Sequence, residues 1–220
     1  IKPYLQNKKG MKCTLCSTNL KPFYYYEKED RNYFRCPNCR AVLMDEKNFP
    51  TPKEEIQRYE SHDNDVEDPR YQKFVFPLVD KILHHFGPEH KGLDFGAGTG
   101  PVITKMLTDE GYDIITYDPF FDDKKSVFDQ KYDYIVSCEV IEHFHDPHME
   151  FERLRKMLNN GGALFLKTDL YTEDTDFHAW YYKSDETHVF FYHPETFRWI
   201  KETFDFSKLK LDGRHITLFT

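Results

Sequence analysis

The stretch KGLDFGAGTGPVI, residues 91–103, decides the fold. A short apolar run holding Asp94 leads into glycines 96, 98 and 100, which alternate with small residues, and Pro101 then opens an amphipathic segment that closes at Gly111. The order reads as strand, tight loop, helix, the geometry that lets backbone approach a nucleotide-type ligand closely. Alone, it is equally a bare strand-to-helix turn. Its neighbours add weight, because YDIITYD (112–118) reads as the next strand and ends on a carboxylate, Asp118, where a ribose would be met.

Working outward, strands and helices keep alternating. YDYIVSCE (132–139) is a strand, Asp146-Pro147 caps a helix carrying Phe151, Leu154 and Leu158, and Gly161-Gly162 leads into the strand ALFLKT (163–168). Segment 119–131 is thin in strand signal, with SVF (126–128) its only candidate. After a long insert, 169–193, Pro194 opens a helix that precedes strands near KLKL (208–211) and HITLFT (215–220). Upstream, Phe74, Leu78, Ile82 and Phe86 recur every fourth position, which predicts a helix over 70–86 that Pro77 kinks and Gly87-Pro88 ends. The pattern predicts a Rossmann-like, doubly wound α/β fold with a mainly parallel sheet.

Ahead of it, Cys13, Cys16, Cys36 and Cys39 form two C-x2-C pairs separated by nineteen residues, a zinc-site spacing. Four thiolates around Zn²⁺ supply folding energy that so small a module cannot draw from a core. The aromatic run PFYYYEKEDRNYF (22–34) between the pairs reads as a hairpin whose rings cover a thin core, base stacking being the other use of such rings. NFPTPKEE (48–55) reads as a linker, with Thr51 and Glu54 as a capping box. The expected division is a zinc ribbon over 1–48 and a second domain over 49–220, itself an N-terminal helical cap (49–90) and a core (91–220).

Composition narrows the class. Mean hydropathy is −0.74 and no apolar run approaches the ~18 residues of a membrane span. No secretory leader pattern opens the sequence, and paired metal-type cysteines suit a reducing compartment, so the expected location is cytoplasmic with no membrane partner. The charge is uneven: residues 1–48 sum to +5 and residues 49–220 to −13. The basic ribbon on an acidic body leaves nucleic acid as an alternative partner to a small molecule.

The loop also selects a cofactor. Pro101 stands where a dinucleotide fingerprint needs its third glycine, which disfavours NAD. Asp94 would repel a pyrophosphate but suits a cofactor with an ammonium and no phosphate, the charge pattern of S-adenosylmethionine.

LDFGAGTG, TYDP and YDYIVSCEVIEHFHDP resemble the donor-site motifs of the class I S-adenosylmethionine-dependent methyltransferases, in detail over residues 91–168 and loosely over the rest of 50–220. The resemblance implies that Gly96, Ala97, Gly98 and Gly100 line the methionine moiety beside Asp94, already selected by charge, with Asp118 on the ribose, Pro119 and Phe120 on the adenine edge, and Cys138 with Glu139 on the methionyl side. It also implies an antiparallel last strand. RYESHDNDVEDPRYQKF (58–74) lies where related enzymes close over the donor, making Tyr59, His62, Asn64 and Tyr71 candidates for cofactor or substrate contact. A ribbon ahead of this fold resembles both rRNA-modifying and sugar-modifying members.

Glu139, Glu142 and His143 in EVIEHFH, together with His188, are the candidate chemistry. The E-x-x-E-H order resembles metal-dependent ubiquinone-pathway O-methyltransferases and small-RNA 2′-O-methyltransferases, which implies Mg²⁺ or Mn²⁺ on Glu139, Glu142, His143 and His188; metal-free members carry similar residues, leaving a histidine as general base. HAWYYKSDETHVFFYHP (178–194) is expected to form the acceptor pocket, with Trp180 and Tyr181 on it. The expected activity is O-methylation of a small metabolite, the alternative RNA methylation with the ribbon holding nucleic acid.

Overall fold

The computed structural model describes residues 10–61 and 64–220. Strands β4 (Lys91–Phe95), β5 (Asp113–Tyr117), β6 (Tyr132–Cys138) and β7 (Leu158–Lys167) pair in parallel in the order β5-β4-β6-β7. On β7 lies β10 (His215–Phe219), antiparallel, and outside it β9 (Lys208–Asp212).

Alternate residues of the central strands feed opposite faces, as a period of two requires. Tyr134, Val136, Ala163 and Phe165 pack with Val75, Leu78, Val79 and Ile82 of α2 (Pro69–His85) and with α3 (Val102–Asp109). Ile135, Leu164 and Leu166 pack with Phe151 and Leu154 of α4 (Pro147–Met157) and Phe197 and Ile200 of α5 (Pro194–Thr203). Helix α2 runs through Pro77. A proline inside a helix costs about 3 kcal/mol, and four buried aliphatic side chains at about 1.5–3 kcal/mol each outweigh it.

The sheet ends at β5. The candidate strand SVF folds instead as a 3-10 turn, Lys125–Asp129, with Val127 buried and Phe128 edge-on to Tyr117. One buried residue among polar neighbours gives no alternating face for a strand to bury.

The cysteine module is built from β1 (Lys21–Tyr26), β2 (Arg31–Arg35) and β3 (Val42–Met44), with Asp30 left-handed at the hairpin tip. Its fourth strand comes from the insert: β8 (Phe190–Phe191) pairs with β3, Val42 opposite Phe191. Leu15, Tyr33 and Ala41 through Met44 join the same apolar cluster as Phe151 and Phe197, so packing crosses the compositional boundary at residue 48. Between module and core, α1 (Pro52–Glu60) starts with the Thr51–Glu54 capping box. Among the described residues no helix is long and apolar enough to cross a membrane.

Candidate active site

Strand order reverses about β4, and the C-terminal ends of β4, β5 and β6 open there into a cavity of 1110 Å³. Open α/β sheets take their ligands at such a reversal. The loop after β4 turns sharply because Gly96 adopts φ 82°, and a Cβ there would stand 2.6 Å from Val140. The Gly98 amide donates to Asp118 Oδ2 at 2.9 Å, while Asp118 Oδ1 accepts from the amides of Phe120 and Phe121. Oδ2 keeps a lone pair for a further donor.

Most of the expected donor residues border this cavity: Gly96, Ala97, Gly98, Asp118, Pro119, Phe120, Cys138 and Glu139. Asp94 and Gly100 do not. Asp94 is buried against α3, accepting from Thr104 Oγ1 at 2.9 Å, and burial pushes its carboxyl up to about 6. Gly100 is covered by Asn64, whose carbonyl oxygen would lie 1.8 Å from a Cβ. Asn64, Tyr59 and Tyr71 line the cavity from the cap, and His62 lies outside the described residues.

After β6 the chain passes Glu139, left-handed at φ 54°, into a 3-10 turn over Ile141–His143. Glu142, His143 and His188 bring their ligand atoms within 4.8 Å of one another. His143 Nδ1 lies 2.9 Å from the Thr187 carbonyl and His188 Nδ1 2.7 Å from that of Tyr182. A carbonyl only accepts, so each Nδ1 carries the hydrogen and Nε2 is the basic atom of the neutral ring. Glu142 Oε1 accepts from Tyr182 Oη, whereas its buried Oε2 has no hydrogen-bond partner among the described residues. Burial and then Glu139 push Glu142 up to about 8; burial and then His188 push His143 down to about 3.

Glu139 stands outside this cluster. Its oxygens take Arg214 at 3.0 and 3.1 Å, from the turn between β9 and β10. Of the insert aromatics, Tyr181 lines the cavity and donates to Asp169 at 2.6 Å. Trp180 does not, because it packs among Phe177, Tyr182 and Phe191.

Several lining residues had no sequence signal. Arg58 of α1 donates twice to Asp185 Oδ2, at 2.9 and 2.7 Å, while Asp185 Oδ1 accepts from the amide and hydroxyl of Thr187. Burial opposes the charge on Asp185, but Arg58, His188 and Thr187 together hold its carboxyl below the ordinary range. Glu29 and Arg31 reach the same cavity from the cysteine module. In that module Cys13 and Cys39 have sulfurs 3.7 Å apart and Cys16 and Cys36 3.3 Å apart, the four within 4.8 Å of one another. A Zn–S tetrahedron with 2.3 Å bonds has edges of about 3.8 Å.

A sequence profile for the family described as Methyltransferase domain matches residues 68–211. The chain belongs to the S-adenosylmethionine-dependent methyltransferases. No curated protein matches this methyltransferase by sequence. Its fold is similar to human N-acetylserotonin methyltransferase, solved with S-adenosylmethionine, at 13% identity and TM-score 0.52, over 77% of this chain and 56% of that one. An O-methyltransferase family protein from Burkholderia thailandensis matches at 14% identity and TM-score 0.49, over 79% of this chain and 67% of that one. A methyltransferase from Archaeoglobus fulgidus matches at 20% identity and TM-score 0.49, over 63% and 71%.

Proposed function

We propose that this methyltransferase methylates an oxygen of a small metabolite. The observation that carries the reading is the opening of the Glu142, His143 and His188 cluster, through its two imidazoles, onto the cavity that the glycine loop borders. In this reading Gly96, Ala97 and Gly98 flank the methionine part of the donor, Asp118 accepts from the ribose, Pro119 and Phe120 edge the adenine, and Cys138 with Glu139 borders the methionyl chain. Asp94 and Gly100 support the loop from behind.

Transfer forms a C–O bond as the sulfonium S–C bond breaks, releasing S-adenosylhomocysteine, and the acceptor hydroxyl must lose its proton. Two neutral imidazoles and Glu142, whose buried acid would give up its proton to a bound cation, suit a divalent ion, and the nitrogens favour Mn²⁺ over Mg²⁺. When bound, such an ion lowers the pKa of a coordinated hydroxyl. As a general base His143 is the weaker reading, because burial and His188 hold its imidazole near 3, mismatched to proton transfer at neutral pH, which leaves His188 as the imidazole for a metal-free mechanism. Tyr182 fixes the cluster by donating to Glu142 and accepting, through its carbonyl, from His188.

The cavity is lined by Glu29, Glu55, Asp118, Glu139, Asp146, Glu150, Asp185 and Glu186 against Arg31, Arg58 and Arg153, an acidic balance that repels phosphates and favours a small acceptor over RNA. Tyr33 and Phe34 are buried in the cysteine module, which supports a structural zinc role for it over base stacking. The test supplies methyl-labelled donor with a metabolite extract or with total RNA, at controlled Mn²⁺. Label in the low-mass fraction, dependent on Mn²⁺ and lost in Glu142→Gln, is expected. Label in RNA, or transfer indifferent to Mn²⁺, overturns the acceptor or the metal part respectively.

A further inference from the structure

We propose that the cysteine module is itself part of the acceptor site, with Arg31, Glu29 and Glu186 recognising hydroxyls of an uncharged, polyhydroxylated ring on the methyl acceptor. The proposal rests on the reading of the cavity as a methyl-transfer site.

Arg31 opens β2 directly after left-handed Asp30 and lines the cavity although its side chain is only 10% exposed. Its Nη1 is buried without a hydrogen-bond partner among the described residues. Nη2 stands 3.8 Å from Glu29 and 3.6 Å from Glu186, close enough for charge pairing but beyond a good hydrogen bond. An unmet buried donor of a charged group is costly, and a ligand oxygen removes that cost.

The neighbours define which oxygen. A guanidinium only donates and a carboxylate only accepts, so the group that satisfies both at once is a hydroxyl. Adjacent ring hydroxyls can accept from Arg31 while donating to Glu29 and Glu186, both of which are partly exposed. A phosphate or carboxylate would match Arg31 but face two like charges; an ammonium would match the glutamates but face Arg31. Tyr181, 63% exposed on the same cavity, offers a flat apolar surface for the ring face. The volume of 1110 Å³ exceeds the ~300–1,000 Å³ of a single-ligand pocket, which leaves room for acceptor beside donor.

The test uses the full-length, zinc-loaded protein saturated with S-adenosylhomocysteine. Saturation-transfer NMR and competition titrations probe it with methyl β-glucopyranoside and myo-inositol, and with glucuronate, glucosamine and a ten-nucleotide RNA. Binding of a neutral probe is expected, with weaker binding of the charged ones and at least about tenfold loss in Arg31→Met. Glu186→Gln, at a half-exposed position that folding tolerates, should lose several-fold, with S-adenosylhomocysteine affinity unchanged in both variants. No neutral probe bound, binding indifferent to both substitutions, or preference for glucuronate or RNA overturns the proposal while the donor reading stands. Failure of the wild type to bind S-adenosylhomocysteine overturns the donor reading, and this proposal with it.

Discussion

Asp94 of β4 is enclosed against α3, where Thr104 donates to it and burial holds its carboxyl near 6 against an ordinary 3.8. Between those values the native chain keeps a proton that the unfolded chain has released, so stability falls as pH rises from about 4 to about 6. At neutral pH the penalty is at most about 3 kcal/mol. Asp94→Asn should therefore raise the melting temperature at pH 7, with the gain shrinking toward pH 4, while calorimetric affinity for S-adenosylhomocysteine stays within about threefold. An affinity collapse with no change in the pH slope would place the carboxylate on the donor instead. Gly100→Ala tests the other covered position: its Cβ would meet the Asn64 carbonyl oxygen at 1.8 Å. Relief requires Asn64 to leave the loop, and overpacking of this kind costs about 1–3 kcal/mol, so donor affinity should drop about tenfold or more. The sequence makes Asp94 and Gly100 look like loop residues, and only the third dimension shows them turned away from the cavity.

At the scale of elements, local patterns were legible and distant pairings were not. The alternation of β4 to β7 with α3 and α4, and the closeness of Glu142 and His143, follow from periodicity and adjacency within a few residues. Strand β8 has two residues and pairs with β3 far upstream, so no local pattern announces it. Glu139 reads as a fourth ligand until Arg214, from the β9–β10 turn, claims it. The same holds for the Arg58–Asp185 pair, which ties α1 to the insert and, through Thr187, to the carbonyl that holds His143. Arg58→Met should lower kcat about tenfold by freeing that carbonyl, with affinity for S-adenosylhomocysteine unchanged. Equal loss in kcat and donor affinity would assign Arg58 to donor binding.

Over the whole molecule, the cysteine site and the methyltransferase core form one packing unit. Cys13, Cys36 and Cys39 belong to the apolar cluster that contains Phe151, Leu154 and Phe197. Thr196 Oγ1 of α5 donates to the Cys39 carbonyl at 2.8 Å, and His148 Nδ1 of α4 to that of Leu15 at 2.8 Å. Met44 of β3 donates to the Val189 carbonyl, one residue beyond His188. A structural zinc contributes roughly 10–16 kcal/mol in small peptides, comparable to the ~5–15 kcal/mol that holds a whole domain. With zinc on the four cysteines, as proposed, heating should then give a single calorimetric transition. Zinc withdrawal should release β3 and β8 together, abolish methyl transfer and open the insert to protease. S-adenosylhomocysteine should still raise the melting temperature of the remaining core by mass action, because its proposed site is built chiefly from the C-terminal ends of β4 to β6. An independent ribbon would behave differently, with two separate transitions and catalysis that survives zinc loss at a supplied Mn²⁺ concentration; that result would detach the cysteine module from the active site.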